Sequence, residues 1–344
     1  MRGTEFLGLF KYFILFLSAS ILFAQEFPDE KIDKILKNGI SDILNQKYDE
    51  AEFTFKQLSK DYPANPLGLV YQAAVEIAKS VDYGEKFNSF KITGLLMAAE
   101  RLSDSLNSHN PDDKWNMYYS ALISGYNAYF YALSENYLVA FSEGFSSINK
   151  FKDLLEKDKK FYEAYTAIGT YRYWKSRKTD ILNVLPFFED DTGEAIKLIK
   201  AAAENQNYSR HLALNSLIWI YIDKKQYKDA VKIARDELKS FPESRFFKWG
   251  LARALEDINK DEAVLVYQEI LNSHLGRKNS NSYNEIVLRH KIAMLLHASG
   301  KNVQAIEYCR EIFKTKVTSE FVKSSLEDRM KRVNELWEEL LSSQ

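Results

Sequence analysis

The chain has 344 residues, and its 47 Lys and Arg side chains nearly balance its 48 Asp and Glu side chains. This balance provides no positive field that would attract phosphate groups, so nucleic acid is not a predicted partner. Only 13 Gly and 6 Pro are present, too few for a chain rich in β-turns, long linkers or disorder. We therefore expect an almost wholly helical chain.

The first 24 residues differ in composition from the rest. Arg2 and Lys11 precede the apolar run YFILFLSASILF, and AQE follows it. This order is typical of an export signal cleaved after Ala24, and the run is too short to cross about 30 Å of hydrocarbon. Leu22 is not the small residue preferred at the third place before a cut, so a retained membrane anchor is the alternative. Export would place the mature chain in the periplasm, the cell envelope or the secreted fraction.

From Gln25 onward, apolar residues recur at the spacing of a helix, and polar turns separate the helices into antiparallel pairs. We predict seven hairpins, at 30–45 with 48–61, 66–82 with 86–107, 112–134 with 137–157, 161–177 with 191–205, 209–223 with 227–240, 244–257 with 260–274, and 283–299 with 302–315. A final amphipathic helix over 319–341 would cover the open end of the last hairpin, which a stacked array must hide from water.

A small residue recurs in the second helix of five predicted hairpins. One isolated helix pair buries too little apolar surface, so it needs similar neighbours. The recurring residues are Ala51, Ala195, Ala230, Ala263 and Ala305. The steps from 195 to 230 and from 230 to 263 are 35 and 33 residues, one repeat length each. We expect each alanine to lie where the two helices of a hairpin cross closely.

These units resemble the tetratricopeptide repeat (TPR). Its pattern places an aromatic or Leu, then Leu-Gly, then Tyr on the first helix, followed by Ala, Phe, Ala and a closing Pro. The N-terminal unit matches at Ile35, Gly39, Ala51, Phe55, Leu58 and Pro63. The central unit matches at Leu214, Leu217, Tyr221, Ala230, Ala234 and Pro242. A third, partial match consists of Tyr165, Ile168 and Gly169, whereas residues 80–160 lack a clear signature.

The resemblance implies an all-α, right-handed superhelical solenoid of about seven antiparallel helix hairpins with a C-terminal capping helix. Four divisions of the chain are predicted. They are a signal peptide at 1–24, N-terminal hairpins at 25–160, C-terminal repeats at 161–318 with an apolar insertion at 178–190, and the capping helix at 319–344.

The resemblance also implies a concave groove, lined by the first helices, that holds a protein or peptide partner. By their places in the repeats, the groove candidates are Tyr173, Trp174, Asn215, Trp219, Arg245, Lys248, His290, Met294 and His297. The leading hypothesis is therefore an exported, non-enzymatic scaffold or adaptor, with the membrane as a partner only if the N-terminal segment is retained. The alternatives are a small-molecule or glycan-binding protein with a pocket closed by residues 178–190, and an enzyme accessory domain without a ligand of its own.

Two apolar features each allow two interpretations. Residues 175–191, KSRKTDILNVLPFFEDD, are apolar where a loop should be polar, so they form either a plug against the repeats or a partner-facing wedge. Aromatic side chains surround the helix over 112–134 and the residues after it. They are Trp115, Tyr118, Tyr119, Tyr126, Tyr129, Phe130, Tyr131 and Tyr137. This distribution favours burial on more than one face over a ligand-binding box.

Residues that could carry chemistry are sparse. The five histidines are His109, His211, His274, His290 and His297. None lies three or four residues from another, the spacing that places two ligands on one metal ion. No Gly-rich phosphate loop or nucleophile motif is present, so no enzyme activity, metal or cofactor is predicted. The single cysteine, Cys309, excludes an internal disulfide and is expected to be a small buried hydrophobe.

Overall fold

The structure is a computed structural model that describes residues 26–182, 191–277 and 281–342, the side chains of residues 178–182 apart. Within these ranges the chain forms fifteen α-helices and no β-strand. They are α1 (Glu30–Leu44), α2 (Tyr48–Asp61), α3 (Leu67–Tyr83), α4 (Ser89–His109), α5 (Lys114–Leu133), α6 (Tyr137–Lys157), α7 (Tyr162–Leu182), α8 (Thr192–Glu204), α9 (Arg210–Asp223), α10 (Tyr227–Ser240), α11 (Arg245–Leu255), α12 (Lys260–Leu275), α13 (Ser282–His297), α14 (Asn302–Lys314) and α15 (Glu320–Ser342).

The predicted succession of hairpins is confirmed. Each helix packs mainly against the helices one or two places away along the chain, the arrangement expected of a solenoid. The helix ends agree with the predicted ones to within a few residues, except that α7 continues to Leu182. The predicted signal segment at 1–24 lies outside the described residues, and so does most of the predicted insertion at 178–190.

Five hairpins close with the same tight turn. The residue with positive φ is Gln46 after α1, Gly84 after α3, Glu135 after α5, Lys225 after α9 and Gly300 after α13. In each turn, the next backbone N–H donates to the carbonyl oxygen five residues before it, at 2.7 to 2.9 Å. This bond satisfies one of the last carbonyls of the helix. The α5–α6 hairpin uses the turn too, so the hairpin geometry continues through residues 80–160 although the repeat signature does not.

The recurring alanines lie in the core of the stack. Side chains of Ala51, Ala195, Ala230, Ala263 and Ala305 are all 0% exposed. Gly169 on α7 shows how near the two helices of a hairpin lie. A Cβ atom built on Gly169 would be 2.7 Å from the carbonyl oxygen of Ala195 and 2.6 Å from Cγ1 of Ile199. In the first hairpin, a Cβ on Gly39 would collide with the ring of Phe55.

Other repeat positions behave as their places in the pattern predict. Cys309 is fully buried, as are Phe55, Ala234 and Tyr267 at the corresponding places. Burial raises the pKa of the Cys309 thiol to about 11, which keeps it protonated and unreactive. Tyr221 is half-buried against the core. The prolines Pro63 and Pro242 lie exposed, just after the C-terminal ends of α2 and α10.

The capping role of α15 is also confirmed. This helix packs on α13 and α14. Its inward side chains Leu326, Val333, Leu336 and Leu340 are buried in the cores of those last repeats. The end of the stack is therefore covered by an amphipathic helix, as a solenoid requires for solubility.

The N-terminal helices contact a part of the chain up to 202 residues away. Near the end of α3, Asp82 forms a bidentate ion pair with Arg245 at the start of α11, with Nε of Arg245 2.9 Å from Oδ1 of Asp82. Only 9% of the Arg245 side chain and 11% of the Asp82 side chain are exposed. Gln46, in the α1–α2 turn, accepts the backbone N–H of Arg245 at 2.9 Å.

The loop before α13 and the first turn of α13 add to this contact. Asn284 donates to the carbonyl oxygen of Asp82 at 2.9 Å, and Asn281 donates to that of Tyr83 at 3.0 Å. The Arg277 guanidinium lies 3.1 Å from the centre of the Tyr83 ring. We use the name closure contact for these residues together with Gln46 and Arg245. Through it, the starts of α11 and α13 are covered by the chain's own N-terminal helices.

Candidate binding surfaces

The nine predicted groove residues do not share one open surface. Five of them are buried, each with at most 9% exposure: Tyr173, Asn215, Arg245, Lys248 and His290. Trp174, Trp219 and His297 are half-buried, and only Met294 is exposed, at 49%. A binding role for these residues stays a prediction, and their positions explain what most of them do within the fold.

Three of the buried groove candidates are paired with other side chains of the same chain. Tyr173 donates to Oδ2 of Asp223 at 2.6 Å. Arg245 belongs to the closure contact, and Lys248 lies 3.0 Å from a carboxylate oxygen of Glu269. A buried cation needs a counter-charge, so removing one member of such a pair would destabilise the fold.

The two histidines of α13 face the capping helix rather than a groove. Nη1 of Arg329 on α15 lies 3.3 Å from Nδ1 of His290. Nδ1 of His297 lies 2.9 Å from Oδ1 of Asn302, and its Nε2 lies 3.2 Å from Glu339 on α15. The reason is that α13 is the first helix of the final hairpin. The face of this helix that would be open in an earlier hairpin is covered by α15.

His274 and His290 are held neutral in the core. Burial is the main cause, and it lowers the pKa of each imidazole to about 4. For His290, the nearby positive charges of Arg329 and Arg332 add to the effect. His274 lies near the Asp82–Arg245 pair, whose two charges shift its pKa in opposite directions.

Acidification is therefore expected to destabilise the fold through these two histidines. Their folded-state pKa lies below the ordinary value of 6.5, so the unfolded chain is protonated first as the pH falls. Stability is fully present above pH 6.5 and is lost towards pH 4, with a loss of about 2 kcal/mol per histidine at about pH 5. Urea unfolding at these pH values measures the loss. The variants His274→Leu and His290→Leu should each show a weaker pH dependence, whereas the control His109→Leu, at an exposed site, should match wild type. Equal pH dependence in all four proteins would contradict this assignment.

The aromatic residues of α5 divide between core and surface. Trp115, Tyr118, Tyr119 and Phe130 are buried, which confirms the predicted core packing for them. Tyr129 is 49% exposed, so the face of α5 that carries it is open to solvent.

The first half of α6 exposes large apolar side chains. Leu138, Phe141 and Phe145 are 87%, 60% and 56% exposed. They are spaced by three and four residues, so they lie on one face of the helix. We use the name apolar stripe for these three residues. Tyr137, at the start of the same helix, is 63% exposed. The second half of α6 is anchored by the buried residues Phe151 and Leu154, so the core holds the helix that presents the stripe.

Sequence reasoning did not identify the apolar stripe, although a signal was present. Leu138, Phe141 and Phe145 follow helical spacing, as do the core residues Ile148 and Phe151 later in α6. The exposed and the buried apolar residues have the same spacing in the sequence, because spacing alone does not show whether another helix covers that face.

The described residues contain neither a metal-binding cluster nor a membrane-spanning helix. No group of three or more His, Cys, Asp or Glu side chains in ranges 26–182, 191–277 and 281–342 is placed to hold a metal ion. In the same ranges, no helix combines the length and the hydropathy needed to span a bilayer.

Comparison with known proteins finds similarity in solved structures alone. No protein-family model and no curated protein matches the chain. One similar structure is the C-terminal part of a TPR repeat-containing protein from Cytophaga hutchinsonii, at 15% identity and a TM-score of 0.40, covering 85% of this chain and 99% of that one. Another is a tetratricopeptide repeat protein from Parabacteroides merdae, at 15% identity and a TM-score of 0.27, covering 91% and 93%. The structural neighbours are thus TPR proteins, and the chain is itself an all-α array of consecutive helix hairpins.

Proposed function

We propose that this protein is a non-enzymatic scaffold that binds another protein through the apolar stripe on α6. The observation that carries the proposal is the exposure of Leu138, Phe141 and Phe145 along one face of a helix. Contiguous apolar surface of this kind is typical of interaction sites. Burying one Leu or Phe side chain fully is worth about 1.5–3 kcal/mol, so three of them supply a substantial part of the affinity of a protein complex.

The anchoring of α6 favours this use. The core residues of its second half hold the helix in place, so little conformational freedom is lost when a partner binds. The stripe also serves binding better than the predicted concave groove, because the closure contact and α15 cover several of the groove candidates. The sequence of residues 1–24 supports a location outside the cytoplasm. The intact mass of the protein purified from its host tests the proposed cleavage after Ala24.

The proposed surface is tested by affinity capture from an envelope extract of the native host, with the variant Phe141→Ser/Phe145→Ser compared with wild type. We expect a specific protein to be recovered with wild type and lost with the variant. The matched control is Leu265→Ser/Val303→Ser, which removes two other apolar side chains that are 59% and 73% exposed. The control should recover the partner as wild type does. Equal recovery with both double variants would refute a binding role for the stripe.

A further inference from the structure

A shallow cleft lies between α10 and the start of α12, on a different part of the molecule from the apolar stripe. Its volume is about 600 Å³. The floor is apolar, since Val231 and Leu255 are buried there and Ile258 is 46% exposed. The exposed part of Ile258 gives the cleft a surface on which an apolar side chain of a ligand could pack.

Four cations border the cleft on one face of α10. They are Lys228, Lys232, Arg235 and Lys239, spaced by four, three and four residues. Arg235 pairs with Glu262, and Lys239 pairs with Asp236. In the described part of the chain, Lys228 and Lys232 have no ion-pair partner. The rim thus has four positive and two negative side chains, a local charge of +2 in a chain whose net charge is −1.

We infer that this cleft binds a short acidic segment of a partner protein that also carries an apolar side chain. Carboxylates of the segment pair with Lys228 and Lys232, and the apolar side chain packs on Ile258. The cleft is open and shallow, which suits a peptide segment better than a small molecule that must be enclosed. The local charge of +2 matches a segment with about two carboxylates better than a nucleic acid, whose backbone carries a negative charge on every nucleotide.

The dimensions set the length of the segment. Lys228 and Lys239 are eleven residues apart on α10, which corresponds to about 16 Å along the helix axis. An extended peptide advances about 3.3 Å per residue, so about five residues span the row of cations. Alternate side chains of an extended segment point in opposite directions, which lets carboxylates reach the lysines while an intervening apolar residue reaches the floor.

The test uses a fluorescein-labelled peptide in which Glu alternates with Leu, and the same peptide with Gln in place of every Glu. Binding to the full chain is followed by fluorescence anisotropy. We expect the Glu peptide to bind, the Gln peptide to bind at least tenfold more weakly, and the affinity for the Glu peptide to fall as salt rises from about 50 mM to about 300 mM, because the charges are exposed. In the variant Lys228→Glu/Lys232→Glu, the Kd for the Glu peptide should rise at least tenfold.

Controls separate the cleft from general electrostatics and from the proposed function. Lys34→Glu/Lys152→Glu changes the net charge equally at exposed sites on other helices, and its Kd should stay within twofold of wild type. Ile258→Ser should raise the Kd by roughly threefold. Phe141→Ser/Phe145→Ser should leave the Kd unchanged, so failure of one surface does not entail failure of the other. Equal Kd values for both lysine variants, equal binding of the Gln peptide, or tighter binding of an oligonucleotide of equal charge would overturn the inference.

Discussion

Replacing Asp82 by alanine is expected to lower the free energy of unfolding by about 3–5 kcal/mol, because it leaves the Arg245 guanidinium buried without a counter-charge. The Arg245 side chain is only 9% exposed, so water cannot replace the lost carboxylate in this site. Apart from Asp82, the Arg245 guanidinium has only weak alternatives, such as a 3.4 Å contact from Nη1 to Oγ of Ser273. Urea unfolding followed by circular dichroism at pH 7 measures the loss.

Two control variants isolate the effect of the buried charge. Asp82→Leu/Arg245→Met removes both charges and should recover much of the lost stability, since replacing a buried pair by apolar side chains is often neutral. Asp49→Ala breaks the ion pair with Lys79 at a site where Asp49 is 86% exposed, and should cost less than about 1 kcal/mol. If Asp82→Ala cost no more than Asp49→Ala, the closure contact would not couple the two parts of the chain.

The Asp82 variant should also change the shape of the molecule. The closure contact joins α1–α3 to repeats that are far away in sequence, whereas other repeats depend on their neighbours. Once it is broken, the N-terminal hairpins can move away from α11 and α13. We expect faster amide hydrogen exchange at Gln46 and at Asn284 in Asp82→Ala than in wild type.

Replacing Ala230 by aspartate is expected to cost about 3–5 kcal/mol, through overpacking and through an unpaired charge in the core. Ala230 is 0% exposed and belongs to the largest apolar cluster, in which Ile218, Ala263 and Tyr267 are also fully buried. The packed apolar cluster around Ala230 leaves no space for a carboxylate and provides no cation to pair with it. Thermal and urea unfolding measure the effect, which should be concentrated in the hairpins from α9 to α12 because each repeat depends on its neighbours.

The matched control for this substitution is Lys224→Asp, which introduces the same side chain at an exposed position in the turn before α10. It should stay within about 0.5 kcal/mol of wild type. A loss below about 1 kcal/mol for Ala230→Asp would show that Ala230 is not at a close helix crossing.

The positions of the helices and of the repeat unit could be predicted from the sequence because they depend on local features. Apolar spacing, polar turns and small residues act over a few neighbouring residues or one hairpin, so Ala51, Ala230 and Cys309 occupy the core places predicted for them. The cap is local in the same sense, since the apolar face of α15 needs only the adjacent repeat to cover it.

The surfaces available for binding were decided by the tertiary structure. Asp82 and Arg245 are 163 residues apart, and they meet because small rotations between successive hairpins add up to a curvature that no single repeat encodes. That curvature covers part of the predicted groove. The spacing of Leu138, Phe141 and Phe145 does not determine that they are exposed, since equally spaced apolar residues on other helices are buried. The packing of neighbouring helices determines which of these faces remains in solvent.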